Sequence, residues 1–155
     1  SQSAVMIWCE NFLSPIGSII VAADERGLTT LTFGEYENEN PSEITNAAVK
    51  QLEEYFKGER KTFDLPLSPK GTDFQKKVWS ELLKIPYGEV CSYKDIAEKI
   101  GKPNASRAVG NANGKNPLAI IVPCHRVIAS DGKLGGYSLG LDKKEFLLTM
   151  EAKFK

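Results

Sequence analysis

The sequence predicts an α/β chain of the α+β kind. A small N-terminal antiparallel sheet with one helix is followed by a mostly helical half that contains a helix-turn-helix. Two observations carry this expectation. Short β-rich runs fill the start of the chain and then give way to helical spacing. In the second half, two Ser/Thr capping patterns mark helix starts. The stretch Arg60–Gly71, with Pro66 and Pro69, reads as a linker, dividing the chain into an N-terminal α/β domain over 1–70 and a C-terminal domain over 71–155.

Ala4–Phe12, Ser18–Ala23 and Leu28–Phe33 are the β-rich runs. Ser14-Pro15-Ile16-Gly17 and Asp24-Glu25-Arg26-Gly27 separate them, as in a meander. From Ser42 to Lys57, Ile44, Ala47, Ala48, Leu52, Tyr55 and Phe56 form a helical stripe that Gly58 stops. Thr72 with Gln75 caps a helix carrying Phe74, Val78, Leu82 and Leu83, which Pro86 ends. Ser92 with Asp95 opens a short helix to Gly101, and after Gly101-Lys102-Pro103-Asn104 another runs from Ala105 to about Asn113. Two short helices across a tight turn outline a helix-turn-helix, although many such pairs never touch DNA. The second is thick with small residues, Ser106 to Gly114 around Arg107. That suits close approach to a DNA minor groove, or equally a tightly packed internal helix with an ordinary surface arginine.

Of the 155 residues 41% are hydrophobic and 26% charged, which excludes wholesale disorder. No run approaches the roughly 18 apolar residues of a membrane helix. The three cysteines form no disulfide framework and, with no secretory signal visible, point to a cytoplasmic chain. Ser1–Val5 read as an appended remnant ahead of Met6. Charge is uneven: 6 basic against 11 acidic side chains over residues 1–70, and 14 against 9 over 71–155, so the C-terminal half is expected to meet something anionic.

The chemistry concentrates where the aliphatic run Leu118–Val122 delivers Pro123-Cys124-His125-Arg126-Val127. A thiolate is the nucleophile, and a neighbouring His or Arg lowers a cysteine's pKa. His125 is the only histidine, so any imidazole base is this one. Cys9 and Cys91 read as small buried hydrophobes. No metal or other cofactor is expected: there is no paired Cys-x-x-Cys, and Gly132–Gly136 lacks phosphate-loop spacing. These residues favour a Cys/His nucleophilic site without naming its substrate.

Pro123-Cys124-His125-Arg126-Val127 resembles the active-site signature of the O6-alkylguanine-DNA alkyltransferases, the methylated-DNA–protein-cysteine methyltransferases. Arg107-Ala108-Val109-Gly110, Asn116-Pro117, Gly136-Tyr137-Ser138 and Glu151 stand at the family's spacing from the cysteine, and the resemblance is strong from Thr72 to Glu151. It implies a ribonuclease-H-like N-terminal domain and a C-terminal DNA-binding, alkyl-accepting domain in a stand-alone monomer. The implied partner is duplex DNA carrying O6-alkylguanine.

The resemblance also implies roles. Cys124 attacks the alkyl carbon of a flipped-out base, with His125 acting through a water and oriented by Glu151. Consecutive residues of a regular strand point to opposite sides, so the backbone here bends or the relay needs its water. Asn116 matches a hinge asparagine and Tyr93 the tyrosine that helps rotate the nucleotide and protonates the leaving guanine. Tyr137 and Ser138 match the loop over the base, while the backbone at Cys124 and Val127 reads its edge. Arg107 matches the finger that fills the gap, and Lys144 a lysine near the active site. Glu151 and Lys144 also read as ordinary surface residues. Ser92, Tyr93, Lys94, Lys102, Arg107 and Ser130 are the candidate DNA contacts, in binding that is electrostatic and weakened by salt. Ala119 stands where some members have proline and Asn113 where some have methionine, which bears on alkyl-size preference. A thioether is a poor leaving group, so one turnover per molecule is expected. The rival readings are a non-catalytic lesion binder, which would lack Cys124, a transcription regulator, and a cysteine hydrolase.

Overall fold

The computed structural model describes residues 7–155. Chain contacts divide it into two compact units, 1–70 and 71–155. Residues 4–6 of the first expected strand, and the remnant before Met6, lie outside the described residues.

In the first unit β1 (Trp8–Ser14), β2 (Gly17–Ala23) and β3 (Leu28–Phe33) form an antiparallel meander in the order β1-β2-β3. The first strand runs two residues further than the β-rich run indicated, pairing Ser14 with Gly17 across a two-residue turn. Helix α1 (Glu43–Phe56) is capped by Ser42, whose hydroxyl accepts from Thr45 N while Thr45 Oγ1 accepts from Ser42 N. Its buried positions Ala48, Leu52 and Tyr55 recur at helical spacing. The expected linker is only partly free: Leu28 N donates to Pro66 O and Ser68 N to Leu28 O, so Pro66–Ser68 extends the sheet. That approach requires Gly27, where a Cβ would stand 2.5 Å from Pro66 O.

The second unit comprises α2 (Asp73–Leu82), β4 (Cys91–Ser92), α3 (Tyr93–Lys99), α4 (Ser106–Gly114), a 3-10 turn (Cys124–Arg126), β5 (Val127–Ile128) and α5 (Leu141–Phe154). Both expected capping boxes form, Thr72 with Gln75 and Ser92 with Asp95. Between α3 and α4 the chain turns through a Schellman motif. Lys102 N donates to Ala97 O and Gly101 N to Glu98 O, with Gly101 at φ 77°. The indole of Trp79 on α2 donates to Ala112 O on α4 at 2.8 Å and fixes the far end of the small-residue helix.

Cys9 and Cys91 are half-exposed rather than buried as expected. The aliphatic run Leu118–Val122, to which the sequence assigned no element, is a coil of tight turns. Neither α5 nor the parallel pair β4–β5 (Cys91 beside Val127, Ser92 beside Ile128) was anticipated. The pattern hid α5 because its buried face is Lys144, Leu147, Met150 and Glu151, which interrupts the apolar stripe with two charges. No helix among the described residues is long and apolar enough to cross a membrane.

Replacing Trp79 with Phe removes the buried bond to Ala112 and leaves an indole-sized deficit. Urea unfolding should place Trp79→Phe about 2 kcal/mol below the wild type, whereas unchanged stability would mean that this bond does not anchor α4.

Candidate active site

The segment that presents the cysteine is held by one side chain. Asn116 Oδ1 accepts from Leu118 N at 3.0 Å and its Nδ2 donates to Val122 O at 2.8 Å, closing both ends of the aliphatic run. Between them Val122 N donates to Leu118 O and Ile121 N to Ala119 O. Ile120 is driven to φ 72°, a conformation that costs a β-branched residue on the order of 1–3 kcal/mol. The run is buried throughout, so its backbone groups need these internal partners.

Cys124, His125 and Arg126 then form a single 3-10 turn. At three residues per turn, successive side chains fan out about 120° apart instead of alternating, which is the bend the consecutive Cys-His pair requires. All three are buried. His125 Nε2 meets Glu151 Oε2 at 2.7 Å, while Arg126 forks onto the same carboxylate, Nε to Oε1 at 2.8 Å and Nη2 to Oε2 at 3.0 Å. Arg126 Nη1 also donates to Ile85 O at 2.8 Å.

This arrangement fixes the protonation states. Burial works to raise Glu151, but hydrogen bonds from His125 and Arg126 outweigh it and hold the carboxyl down to about 2. An ionised carboxylate only accepts, so His125 carries its proton on Nε2. Burial pushes the imidazole below its usual value despite Glu151, leaving it neutral at pH 7. Nδ1 is then the basic nitrogen, and it is buried with no hydrogen-bond partner among the described residues.

The thiol behaves differently from the sequence expectation. Burial pushes Cys124 up, and the groups working against that are Asn116, Tyr137 and Lys144 rather than its neighbours His125 and Arg126, which are committed to Glu151. Lys144 is no surface lysine. It is fully buried and donates to the carbonyls of Val127 (2.7 Å), Leu134 and Gly136 (3.0 Å), with burial lowering it to about 8. One ammonium thus ties α5 to β5 and to the loop bearing Tyr137 and Ser138, and sets a cation near the sulfur.

A cavity of about 180 Å³ opens beside this turn, bounded by Tyr93, Gly110, Asn113, Gly136, Tyr137 and Ser138. A cavity of about 150 Å³ holds a benzene ring, so a flat heterocycle fits this open-sided one. Two of its walls reach the cysteine: Asn113 Nδ2 donates to Cys124 O at 3.3 Å, and the Tyr137 side chain neighbours the thiol. Burial raises the Tyr93 phenol, which keeps its proton and reaches Gly136 O at 3.4 Å.

The structure therefore gathers Cys124, His125, Glu151, Asn116, Lys144, Tyr93, Tyr137 and Ser138 around one place. Val127 is fully buried and outside the cavity wall, its carbonyl taken by Lys144. Ser92 caps α3, and Lys94, Lys102, Arg107 and Ser130 are exposed. The ammonium of Lys102 stands 5.5 Å above the Phe74 ring. Sequence reasoning missed the work of Arg126. No residue pattern marked it, because the burial of Glu151, which calls for a second, permanent cation, is visible only in the structure.

A shielded thiol, a neutral imidazole with one free basic nitrogen and a ring-sized cavity against a helix pair define a cysteine-centred transfer site. Family profiles agree on its kind. The 6-O-methylguanine DNA methyltransferase ribonuclease-like domain matches residues 7–69, and the DNA binding domain of the same name matches residues 73–153. The chain belongs to the 6-O-methylguanine DNA methyltransferase family. A methylated-DNA–protein-cysteine methyltransferase of Methanosarcina barkeri is 58% identical, covering 89% of this chain and 92% of its own. The crystal structure of Mycobacterium tuberculosis O6-methylguanine methyltransferase superposes with a TM-score of 0.87 at 47% identity, over 97% of this chain and 95% of that one. Mycobacterium tuberculosis OGT in complex with DNA gives 0.87 at 48%, over 94% and 93%.

The Glu151 clamp has a pH signature. Its folded value lies below the roughly 4.3 of an unfolded glutamate, so its stabilising contribution is complete above that value and is lost as pH falls towards 2. In urea titrations Glu151→Gln should start about 3 kcal/mol lower at neutral pH, because Arg126 is left buried and unpaired. It should also lose less stability between pH 5 and 2 than the wild type. Parallel curves would remove Glu151 from this role.

Proposed function

We propose that this chain repairs alkylated DNA by moving the alkyl group of O6-alkylguanine onto its own Cys124. The observation that carries the reading is the ring-sized cavity whose walls, Asn113 and Tyr137, meet the cysteine, backed by the His125–Glu151 pair. Residues 71–155 act as the DNA-binding and alkyl-acceptor domain and 1–70 as the ribonuclease-like partner domain. The setting is cytoplasmic, where thiols stay reduced.

The alkylated base is turned out of the duplex into the cavity while Arg107, exposed on the first turn of α4, fills the gap it leaves. Ser92, Lys94, Lys102 and Ser130 hold the backbone. His125 Nδ1 takes the thiol proton through a water, and Lys144 steadies the resulting thiolate. Sulfur attacks the alkyl carbon, an S–C bond forms, and the C–O6 bond breaks with its electron pair passing to the guanine. Tyr93 protonates that leaving base and recovers its proton from the one His125 removed, so thiol and alkylguanine become thioether and guanine. Ser138 donates at O6. Val127 lies behind the cavity wall and acts there through its carbonyl, which accepts from Lys144. Asn116 holds the strained run that fixes the position of Cys124.

Intact mass after mixing with duplex DNA bearing one O6-methylguanine tests this. The wild type should gain one methylene, saturating at one equivalent, and Cys124→Ala should gain nothing. Tight lesion binding without mass gain would instead identify a non-catalytic lesion binder.

A further inference from the structure

The turn between α2 and β4 touches the Glu151 clamp at three points, and one of them is an aromatic ring with no part in the chemistry above. Ile85 O accepts from Arg126 Nη1 at 2.8 Å, and Gly88 N donates to Glu151 Oε1 at 3.4 Å. Between them the Tyr87 ring lies over the Arg126 guanidinium, its centroid 5.6 Å from Cζ. Glu89 N donates to Pro86 O, which closes a β-turn with Tyr87 and Gly88 at its centre. Gly88 takes φ 78°, and a Cβ there would stand 2.9 Å from the Lys155 side chain.

Arg126 directs Nε, Nη1 and Nη2 at Glu151 and Ile85 within its own plane, which leaves the faces of that plane to be covered. Tyr87 covers one of them. A cation within about 6 Å of a ring centroid is drawn to the ring's negative face, more strongly where water is excluded, and Arg126 is only 6% exposed. We infer that Tyr87 is a positioning residue: its ring holds Arg126 on Glu151, and through that pair keeps His125 with Nε2 on the carboxylate and Nδ1 open to the thiol proton. This deepens the alkyl-transfer reading, which supplies the use for that open nitrogen. The charges around His125 give the direction of the effect. Burial, with the Arg126 and Lys144 charges, disfavours an imidazolium, while Glu151 works the other way. Cys124 beside it and the Tyr87 and Tyr137 phenols near Glu151 are all pushed up by burial and stay protonated. A guanidinium that drew back would therefore leave Glu151 to pull a second proton onto the imidazole.

Nitrogen-15 NMR of His125, followed without DNA as pH is lowered, tests this on Tyr87→Leu and Tyr87→Phe. At a given pH Tyr87→Leu should hold about 3- to 10-fold more imidazolium relative to neutral ring than the wild type, as expected for the loss of one partly desolvated cation–π contact. Tyr87→Phe keeps the ring and should stay within about 2-fold of the wild type. Single-turnover transfer from a duplex carrying O6-methylguanine should follow the same order, the rate of Tyr87→Leu falling away at a higher pH. Should Tyr87→Leu fail to fold, replacing Tyr87 by 3,4,5-trifluorophenylalanine keeps the ring's shape, weakens its negative face and should move the titration the same way. Equal titrations throughout would make the ring inert filling, and a Tyr87→Phe as displaced as Tyr87→Leu would assign the effect to the phenol; either overturns the inference. A wild type that gains no methyl from the duplex removes the alkyl-transfer reading, while the NMR comparison still decides whether Tyr87 governs His125.

Discussion

The site depends on a single buried carboxylate. Glu151 sits on α5 with no exposure, and it is tolerable there because Arg126 forks onto both of its oxygens and His125 donates to one of them. Each partner is fixed in return. Arg126 is drawn away from the thiol and pinned to Ile85, and the imidazole is held in one tautomer with Nδ1 free. A chain without Arg126 would face a choice between a protonated glutamate and a charged histidine, and neither leaves a base ready to take a thiol proton.

Around that carboxylate the fold arranges its supports so that no catalytic group relies on its own segment. The 3-10 turn aims Cys124 and His125, but the turn is held by Asn116 from the end of α4, by Asn113 one turn earlier, and by Lys144 from α5. The strain at Ile120 persists because Asn116 closes both ends of the run, so the backbone has little room to relax. Lys144 performs the same service for the Tyr137–Ser138 loop, joining it to β5 through one ammonium. The cavity is the space these braces leave against the small residues of α4, with Gly110 and the Tyr93 ring on its wall.

The helical punctuation was legible in the chain because it depends on local chemistry. Ser92 with Asp95 and Thr72 with Gln75 read as caps and act as caps. Cys124 and His125 were legible for a related reason: two reactive side chains at the end of an aliphatic run have few structural uses. Glu151 and Lys144 were not legible from residues alone, since an acid and a lysine on a C-terminal helix look like surface until the burial of that face is known. Their selection rested on the family's spacing. The conformation of Leu118–Val122 was not legible, because hydrophobicity marks burial without specifying conformation, and Asn116 supplied backbone partners that a sheet would otherwise provide. Arg126 escaped notice because adjacency suggested that it serves the cysteine, whereas a 3-10 turn sends it elsewhere.

With one histidine in the chain, the state of the relay is open to direct observation. Nitrogen-15 NMR of the imidazole at neutral pH should find one species, neutral, protonated on Nε2 and with a bare Nδ1. In Glu151→Gln, provided the chain stays folded, that preference should be lost. An imidazolium signal near neutral pH in the wild type, or a proton resident on Nδ1, would contradict the account, because the histidine would then have no lone pair to offer the thiol.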